Sequence, residues 1–240
     1  MTRDISPDLQ RLQLFLTEPH RCSYLPQQEA TTAFVDPTAA ITQSVYSGLS
    51  EIGFRRSGRY IYTPRCEFCQ ACIATRIPSS IFSPSRQQKR CARRNQDLDI
   101  RVVNVVDYDE HYPLYENYIS QRHSDGDMYP PSRGQYNDFI GGLPEYGRII
   151  EYRHQGVLIA AAVVDLLDNG ISAIYTYFDP KESHRSLGTF AILSQIELAR
   201  SLQLEYLYLG YWIKQCHKMS YKAKFRPLEM FIKNGWQLIN

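Results

Sequence analysis

The chain has 240 residues, of which 43% are hydrophobic and 22% charged, and a formal net charge of +2. This composition excludes a disordered chain and permits one large domain or two small ones. The longest apolar run, residues 157–164, is too short to cross a bilayer, and the first ten residues carry no apolar signal segment. We therefore expect a cytoplasmic protein without a membrane partner.

Positive charge is concentrated in two segments. Residues 54–101 hold eleven Lys and Arg against three acidic side chains, and residues 214–233 hold six against one. The rest of the chain is therefore acidic. This separation of charge favours a polyanion that is held at one place on the surface over one that coats the whole protein.

Two helices are predicted near the start of the chain. One covers residues 42–52 and ends at Gly53, which suits the position after a helix C-terminus. An earlier short helix would be lined by Leu9, Leu12, Phe15 and Leu16.

Turns and short strands should follow, ending in a strand at residues 73–77. A further helix is predicted to run from Pro84 to about residue 94, with Ser83 as its N-cap and Pro84 in the first helical position. Next come a strand at 100–106 and a helix at 108–122.

Residues 123–134 are rich in Gly, Asp, Pro and Ser and have no apolar period, so we predict an active-site loop. Three strands joined by tight turns are then expected, and a helix and a last strand follow them. The predicted bounds are 149–153, 157–167 and 171–178 for the three strands, 187–202 for the helix and 204–209 for the last strand.

This order of elements predicts an α+β fold, an acetyltransferase-like mixed sheet with flanking helices. We assign residues 99–240 to this transfer domain and residues 1–98 to a small Cys- and Arg-rich N-terminal region. A second domain of related fold is compatible with the length.

The helix after Pro84 carries positive charge on a single face. Its basic residues are spaced i, i+3, i+4, i+7 and i+8, and no carboxylate lies between them. Phosphate contacts are therefore favoured over a face that is merely solvated. The residues are Arg86, Lys89, Arg90, Arg93 and Arg94.

The turn before the helix at 187–202 partly matches the loop that cradles the pyrophosphate of acetyl-coenzyme A. Phe190 stands where that loop needs Gly or Ala, which argues against the coenzyme. The alternative is an ordinary capped helix start. The candidate anion-binding residues are Arg185, Ser186, Gly188 and Thr189.

Tyrosine supplies 18 residues, many of them in two strands. Half of the rings in such strands should pack in the core. Tyr211 and Trp212, at the end of the last strand, are candidates to stack on a terminal nucleotide base or to wall a side-chain pocket.

Asp165 lies within an otherwise apolar strand. A carboxylate there needs either a partner or a purpose, so it is a candidate to bind or deprotonate an attacking amine. The alternative is a paired structural Asp.

Cys66, Cys69 and Cys72 share a two-residue spacing, and Cys22 is the best fourth ligand. Zinc or an iron–sulfur cluster is one interpretation, and free thiols are the other.

Several sequence blocks together resemble the arginyltransferase family of aminoacyl-tRNA–protein transferases, and most of all its compact bacterial branch. They cover nearly the whole chain, in one order. The blocks are CSYLP at 22–26, GFRRSG at 53–58, the three cysteines at 66–72, PSR at 84–86, RHSDG at 122–126, RSLGT at 185–189, LYLGYW at 207–212, KMSYK at 218–222 and FRPLE at 225–229.

The resemblance implies transfer of leucine from leucyl-tRNA to proteins with an N-terminal Asp or Glu, which marks them for degradation by the N-end rule. No cofactor is implied for this transfer. The longer eukaryotic relatives carry a richer cysteine set near Cys22, so their cluster is not carried over. Competing predictions are an arginyl donor, a small-molecule N-acetyltransferase, and a zinc-dependent RNA-binding module without catalysis.

For this reaction we predict several groups of site residues. Asp165 would position or deprotonate the amine, Tyr175 or Tyr177 would donate to the oxyanion or ribose, and the turn at 185–189 would lie near the RNA 3′ end. The acidic acceptor would be bound by Arg55, Arg56 and Arg76, with Lys218 and Lys222 on either the acceptor or the tRNA.

Overall fold

The structure is a computed structural model, and it describes residues 11–239. It contains strands in a four-stranded, an eight-stranded and a two-stranded sheet. The strands are β1 (Leu14–Leu16), β2 (His20–Arg21), β3 (Glu29–Ala30), β4 (Thr32–Val35), β5 (Arg55–Ser57), β6 (Tyr60–Pro64), β7 (Ile73–Pro78), β8 (Asp99–Val103), β9 (Gly147–His154), β10 (Val157–Leu166), β11 (Gly170–Phe178), β12 (Tyr206–Trp212), β13 (Leu228–Ile232) and β14 (Gly235–Ile239).

Helices flank these sheets. Two 3₁₀ segments, Pro180–Arg185 and His217–Lys224, and one π-helical turn, Asn137–Gly141, accompany them. The α-helices are α1 (Gln43–Glu51), α2 (Arg86–Arg94), α3 (Tyr108–Arg122), α4 (Arg133–Tyr136) and α5 (Leu187–Ser201).

The large sheet has the strand order β14-β13-β7-β12-β11-β10-β9-β8. Its pairs are antiparallel except for β11 and β12, which run parallel because α5 connects them. The smaller sheet has the order β1-β4-β6-β5 and is antiparallel throughout. The protein is therefore a mixed α/β structure that is built on one large mixed sheet with flanking helices.

Both faces of β10 are buried, which explains its continuous apolar sequence. Ala160, Ala162 and Val164 pack in the core beneath α5, whereas Ala161 and Val163 pack against α3 on the opposite face. The period of two along the strand thus divides the interior into two layers. A third cluster, around α1, joins the small sheet to the large one through contacts with Tyr208 and other residues.

The predicted helices from residue 42 onward and the three-strand meander are confirmed to within a few residues. Thr42 caps α1, and Gly53 follows it with a φ of 90°. The N-cap of α2 is Ser85 and not Ser83, because the Ser85 hydroxyl accepts from the Gln88 backbone while the Gln88 side chain closes a capping box.

Among the described residues, the prediction of a short N-terminal helix is wrong. Phe15 and Leu16 lie in β1, which pairs with β4, and Leu9 lies outside the described residues. Pairing with a distant strand outweighs a weak helical period.

The predicted N-terminal region contributes to the large sheet. β7 pairs with β12 on one side and with β13 on the other. The division between residues 98 and 99 stays a prediction. β7 belongs to the predicted N-terminal region, but both strands that it pairs with belong to the predicted transfer domain. Among residues 11–239, no helix is long and apolar enough to cross a membrane.

Candidate active site

A groove opens where the two parallel strands of the large sheet separate. The β11–β12 pairing ends at Ser172 and Tyr208, and the register of both strands shifts near this point. The strands part beyond it, and the start of α5 lies over the opening. The resulting cavity measures about 690 Å³ and has β11, α5 and the 3₁₀ segment His217–Lys224 in its walls.

Positive side chains surround this groove and apolar side chains form much of its floor. Asp127 is the acidic residue in the lining that the described part of the chain provides. The basic lining residues are Arg55, Arg122, Lys218 and Lys222. The apolar ones include Ile174, Phe178, Leu187, Ile192 and Leu209.

Arg55 reaches from β5 of the small sheet into the groove. Its guanidinium donates to the carbonyl oxygens of Ala173 and Ile174, the latter at 3.2 Å, at the point where β11 has lost its parallel partner. Within residues 11–239 no carboxylate lies within 4 Å of it. Gly210, with a φ of 72°, leaves the space that the side chain crosses, because a Cβ there would overlap the guanidinium.

The neighbouring Arg56 is paired inside the protein. Its Nε and Nη2 donate to the two carboxylate oxygens of Asp165 at 2.7 and 2.8 Å, and both side chains are almost completely buried. Burial raises the pKa of the Asp165 carboxyl group, and the Arg56 guanidinium opposes that shift. Asp165 is 0% exposed and does not line the groove, so its position does not support the predicted contact with the attacking amine.

Arg76 is also paired inside the protein. It contacts Glu229 at 2.5 Å and Glu51 at 2.7 Å, and its guanidinium lies over the Tyr206 and Trp236 rings. Arg56 and Arg76, both predicted to bind the acceptor, therefore hold the fold together in this structure, and Arg55 alone of the three lines the groove.

The two predicted tyrosine donors lie in different places. Tyr175 lines the groove, and burial raises the pKa of its hydroxyl well above the usual value. Tyr177 is fully buried under α3, where its hydroxyl contacts His111 Nδ1 at 2.7 Å and the Tyr136 hydroxyl at 3.1 Å. His111 Nε2 in turn lies 2.9 Å from Glu151 Oε1. Tyr177 thus belongs to an internal polar network.

Tyr211 and Trp212 do not line the groove. The Tyr211 hydroxyl donates to the Gly53 carbonyl at 2.8 Å, and the ring is buried. The Trp212 ring packs against the core beneath α5, and its Nε1 is buried without a hydrogen-bond partner in the described structure. Their predicted stacking on a base is not supported by these positions.

The two predicted lysines differ in exposure. Lys218 is on the rim and pairs with Asp125 at 2.9 Å, with both side chains more than half exposed. Lys222 is buried in the wall, and its Nζ donates to the Tyr211 carbonyl at 2.5 Å.

The basic face of α2 is exposed, and its predicted phosphate contacts stay a prediction. Arg94 donates to the His184 carbonyl, whereas the other four side chains have no carboxylate partner within residues 11–239. The helix packs beside the start of α5, because Asn95 donates to the Arg185 carbonyl at 2.9 Å. The exposed residues are Arg86, Lys89, Arg90, Arg93 and Arg94.

The turn before α5 is divided between two roles. Arg185 is buried and makes a bidentate pair with Asp97 at 2.8 and 2.9 Å, with Glu182 as a second partner, so its guanidinium is not free for an RNA phosphate. Ser186, Gly188 and Thr189 line the groove.

The sequence patterns missed one polar residue in the groove. Gln195 of α5 is 0% exposed and lines the groove, and its amide lies beside the buried Tyr152 hydroxyl, where burial raises the pKa of that hydroxyl and the amide opposes the shift. A single Gln in a helix carries no motif, so only the structure locates it. His123, Gly126 and Asp127 also line the groove, which places the predicted active-site loop there.

The four predicted metal ligands surround a second cavity of about 1270 Å³. All four thiols are free and partly buried, and burial together with the neighbouring thiols raises the pKa of Cys72 to about 12. Within residues 11–239, no group of three or more His, Cys, Asp or Glu side chains is close enough to hold a metal ion. Metal or cluster binding by Cys22, Cys66, Cys69 and Cys72 stays a prediction.

A solved structure shares the overall fold. The crystal structure of FemX matches with a TM-score of 0.53 over 95% of this chain and 88% of that chain, at 8% identity. The protein thus has a FemX-like mixed α/β fold with an electropositive groove at the separation of two parallel strands.

The sequence defines the family more closely. Residues 20–90 match the N-terminal part of arginine-tRNA-protein transferase, and residues 110–232 match its C-terminal part. The chain belongs to the arginine-tRNA-protein transferase family.

Curated relatives cover nearly the full chain. An aspartate/glutamate leucyltransferase of Saccharophagus degradans is 53% identical over 95% of this chain and 98% of its own. A protein of the same name from Pseudomonas fluorescens is 51% identical over 97% of this chain and 99% of its own.

Proposed function

We propose that the protein transfers leucine from leucyl-tRNA to the N-terminal Asp or Glu of proteins and so directs them to degradation by the N-end rule. The relatives with this name and about half of the residues identical support the reaction. The single structural observation that carries it is Arg55, a guanidinium in the groove that has no carboxylate of the described chain within 4 Å, although its charge opposes the rise that burial causes in the pKa of Asp165. An acidic acceptor side chain supplies the missing anion.

The basic face of α2 is proposed to bind phosphates of the tRNA acceptor arm. It is exposed, and its helix packs beside the start of α5, whose first turn lines the groove. The RNA 3′ end would then enter past Ser186, Gly188 and Thr189, and the leucyl side chain would contact the apolar floor.

The charge of the groove favours leucine over arginine as the transferred amino acid. Asp127 is the acidic residue in the described lining, against Arg55 and Arg122, since Lys218 is paired with Asp125 and burial lowers the pKa of Lys222 to about 7. The lining therefore offers a cationic arginyl side chain little net attraction, whereas a leucyl side chain matches its apolar residues.

The reaction is aminolysis of an ester, and it needs no covalent intermediate with the enzyme. The groove has to hold the ester carbonyl against the acceptor amine and exclude water. Tyr175 is proposed to donate to the ester oxygen as negative charge develops, because it lines the groove and is only partly buried. The Asp165 carboxylate is left out of this mechanism, since it is buried against Arg56.

The finer features of the fold remain part of the proposal. An acetyltransferase-like arrangement is supported by the meander β9–β11, by α5 and by the parallel return of β12. The proposed partners are leucyl-tRNA and proteins with N-terminal Asp or Glu, and the proposed location is the cytoplasm. The proposed chemistry uses neither zinc nor an iron–sulfur cluster.

The proposal is tested with peptides that differ only in the first residue. We expect label from leucyl-tRNA to appear on a Glu-headed peptide, and much less on a Gln-headed one or from arginyl-tRNA. No transfer to the Glu-headed peptide would refute the function. Acetyl-coenzyme A should leave the thermal stability unchanged, because stabilisation by it would favour the acetyltransferase alternative.

Arg55 is tested by two variants with different effects on charge. Arg55→Gln removes the guanidinium, and Gly210→Ala displaces it while the net charge is kept. Each should lower kcat/KM for the Glu-headed peptide by about 10- to 100-fold, which corresponds to a charge-assisted hydrogen bond of roughly 1.5–3 kcal/mol. Transfer to the Gln-headed peptide should change little.

Arg59→Gln is the matched control, since Arg59 lies close in the chain but is exposed and does not line the groove. Equal losses on both peptides for Arg55→Gln would contradict recognition of the acidic side chain by Arg55.

A further inference from the structure

Lys222 is a buried amine in the wall of the groove. It lies in the 3₁₀ segment His217–Lys224 and is 7% exposed. Its Nζ donates to the Tyr211 carbonyl at 2.5 Å, and within residues 11–239 no carboxylate comes within 4 Å of it. A charged lysine at this place lacks the anion that usually accompanies one.

The surroundings favour the neutral form of this amine. Burial is the largest cause that lowers the pKa of Lys222, to about 7, and the positive charge of Arg55 acts in the same direction. The Cys216 thiol has the opposite effect, and the Tyr221 ring lies 6.0 Å away. A large fraction of Lys222 is therefore unprotonated at neutral pH.

Other titratable groups face the same groove. They lie on α3, on the loop after it, on β11 and on the 3₁₀ segment that carries Lys222. They are Tyr118, Arg122, His123, Asp127, Tyr175, Lys218 and Tyr221, together with Arg55 from β5. Asp127 is the acidic member of this described set.

Arg55 and Lys222 are neighbours that an N-terminal acidic residue would contact together. In Asp or Glu the side-chain carboxylate and the α-amine branch from the same Cα, so they lie only a few bonds apart. A carboxylate that binds Arg55 consequently brings its own α-amine toward Lys222.

We propose that Lys222 is a catalytic residue that removes a proton from the α-ammonium group of the acceptor. The inference deepens the proposed function and rests on it. An amine of matched basicity raises the fraction of acceptor that can attack, because the α-amino group of a peptide has a pKa of about 7.7–8.0 and is mostly protonated at pH 7.

The step balances as follows. One proton moves from the α-ammonium group to the neutral Lys222 amine, and the freed nitrogen lone pair forms a C–N bond with the ester carbonyl carbon. When the C–O bond to the terminal ribose breaks, the ribose oxygen keeps the electron pair and takes a second proton from the attacking nitrogen. The peptide amide keeps the third, and Lys222 later releases its proton to water.

The test compares the pH dependence of transfer for wild type, Lys222→Met and Lys222→Arg. Rates are measured from pH 6 to 9 in short single turnovers on a Glu-headed peptide, and spontaneous ester hydrolysis is subtracted. We expect both variants to lose roughly tenfold in single-turnover rate at pH 7, where only about a tenth of an α-amine with a pKa of 7.7–8.0 is unprotonated. The loss should disappear near pH 9, where the α-amine deprotonates by itself.

Lys224→Met is the matched control. Lys224 lies in the same 3₁₀ segment but is exposed and outside the groove, so this variant removes one charge without removing the buried amine. Any effect of it should be the same at every pH. Lys222→Arg keeps a donor for the Tyr211 carbonyl. A loss that both variants share is therefore not explained by misfolding of the Met variant.

Three outcomes overturn the inference while leaving the proposed function intact. The first is a loss in the Lys222 variants that does not vary with pH, and the second is full activity in them. The third needs no variant: competitive acylation of the wild-type protein, read by mass spectrometry, would show Lys222 titrating above pH 9. Absence of transfer by wild type would instead refute the proposed function itself.

Discussion

At the scale of single residues, burial and partners assign different roles to side chains of the same type. Arg55, Arg56 and Arg76 look equivalent in the sequence, yet two of them are buried against carboxylates and one lines the groove. Because a guanidinium that already has a bidentate partner gains little from a second anion, only Arg55 is free to bind a ligand carboxylate.

The Asp165–Arg56 pair is expected to contribute to stability and not to proton transfer. Asp165→Asn leaves Arg56 buried without a counter-ion, which should lower the free energy of unfolding by about 3–5 kcal/mol. Chemical denaturation measures this loss. The pH profile of transfer by the folded variant should match that of wild type.

Asp99→Asn serves as the comparison, because Asp99 and Arg101 form an exposed pair that is worth at most about 1 kcal/mol. If Asp165→Asn were as stable as wild type and lost the acidic limb of the rate profile, the carboxylate would be the base after all.

At the scale of elements, α2 combines a buried side with an exposed basic one. Gln88 and Cys91 face the core, while the basic residues point to solvent. Positive residues in its last turn also complement the partial negative charge of the helix C-terminus, so the charge does not destabilise the helix there.

Neutralising this face should weaken binding of tRNA in a salt-dependent way. Arg90→Gln and Arg93→Gln should each reduce the slope of log binding constant against log salt by about 0.7–0.9, the value for one lost phosphate contact. Filter binding at several KCl concentrations measures the slope.

Arg101→Gln on β8 is the control, since Arg101 is exposed but its Nε contacts Asp99 at 2.7 Å. Slopes for Arg90→Gln and Arg93→Gln that equal the wild-type slope would show that α2 does not contact phosphate.

At the scale of the whole molecule, the two predicted regions contribute strands to the same large sheet. β7 lies between β12 and β13, although it precedes them by more than a hundred residues. The two halves therefore share one sheet, and neither contains all of its strands.

A fragment of residues 99–240 should not fold by itself, because removal of β7 exposes the edges of β12 and β13. We expect no cooperative thermal transition in this fragment by circular dichroism. Adding a fragment of residues 1–98 should restore one. A cooperative transition of the larger fragment alone would instead support an independent domain.

Local patterns predicted the elements that local interactions stabilise. The helix at 108–122 and the hairpins between β9, β10 and β11 were recognisable because their periodicity and turn residues are contiguous. β1 was not, since only its pairing with β4 makes Leu14–Leu16 a strand.

The same limit applies to the site. The sequence alone determined the family, the basic segments and the loop at 123–134, because each is a property of consecutive residues. Only the tertiary structure decided that Asp165 meets Arg56, that Arg55 reaches the groove, and that Lys222 is buried without an anion. Ion pairing and desolvation depend on distances between atoms far apart in the chain, and no local pattern encodes those distances.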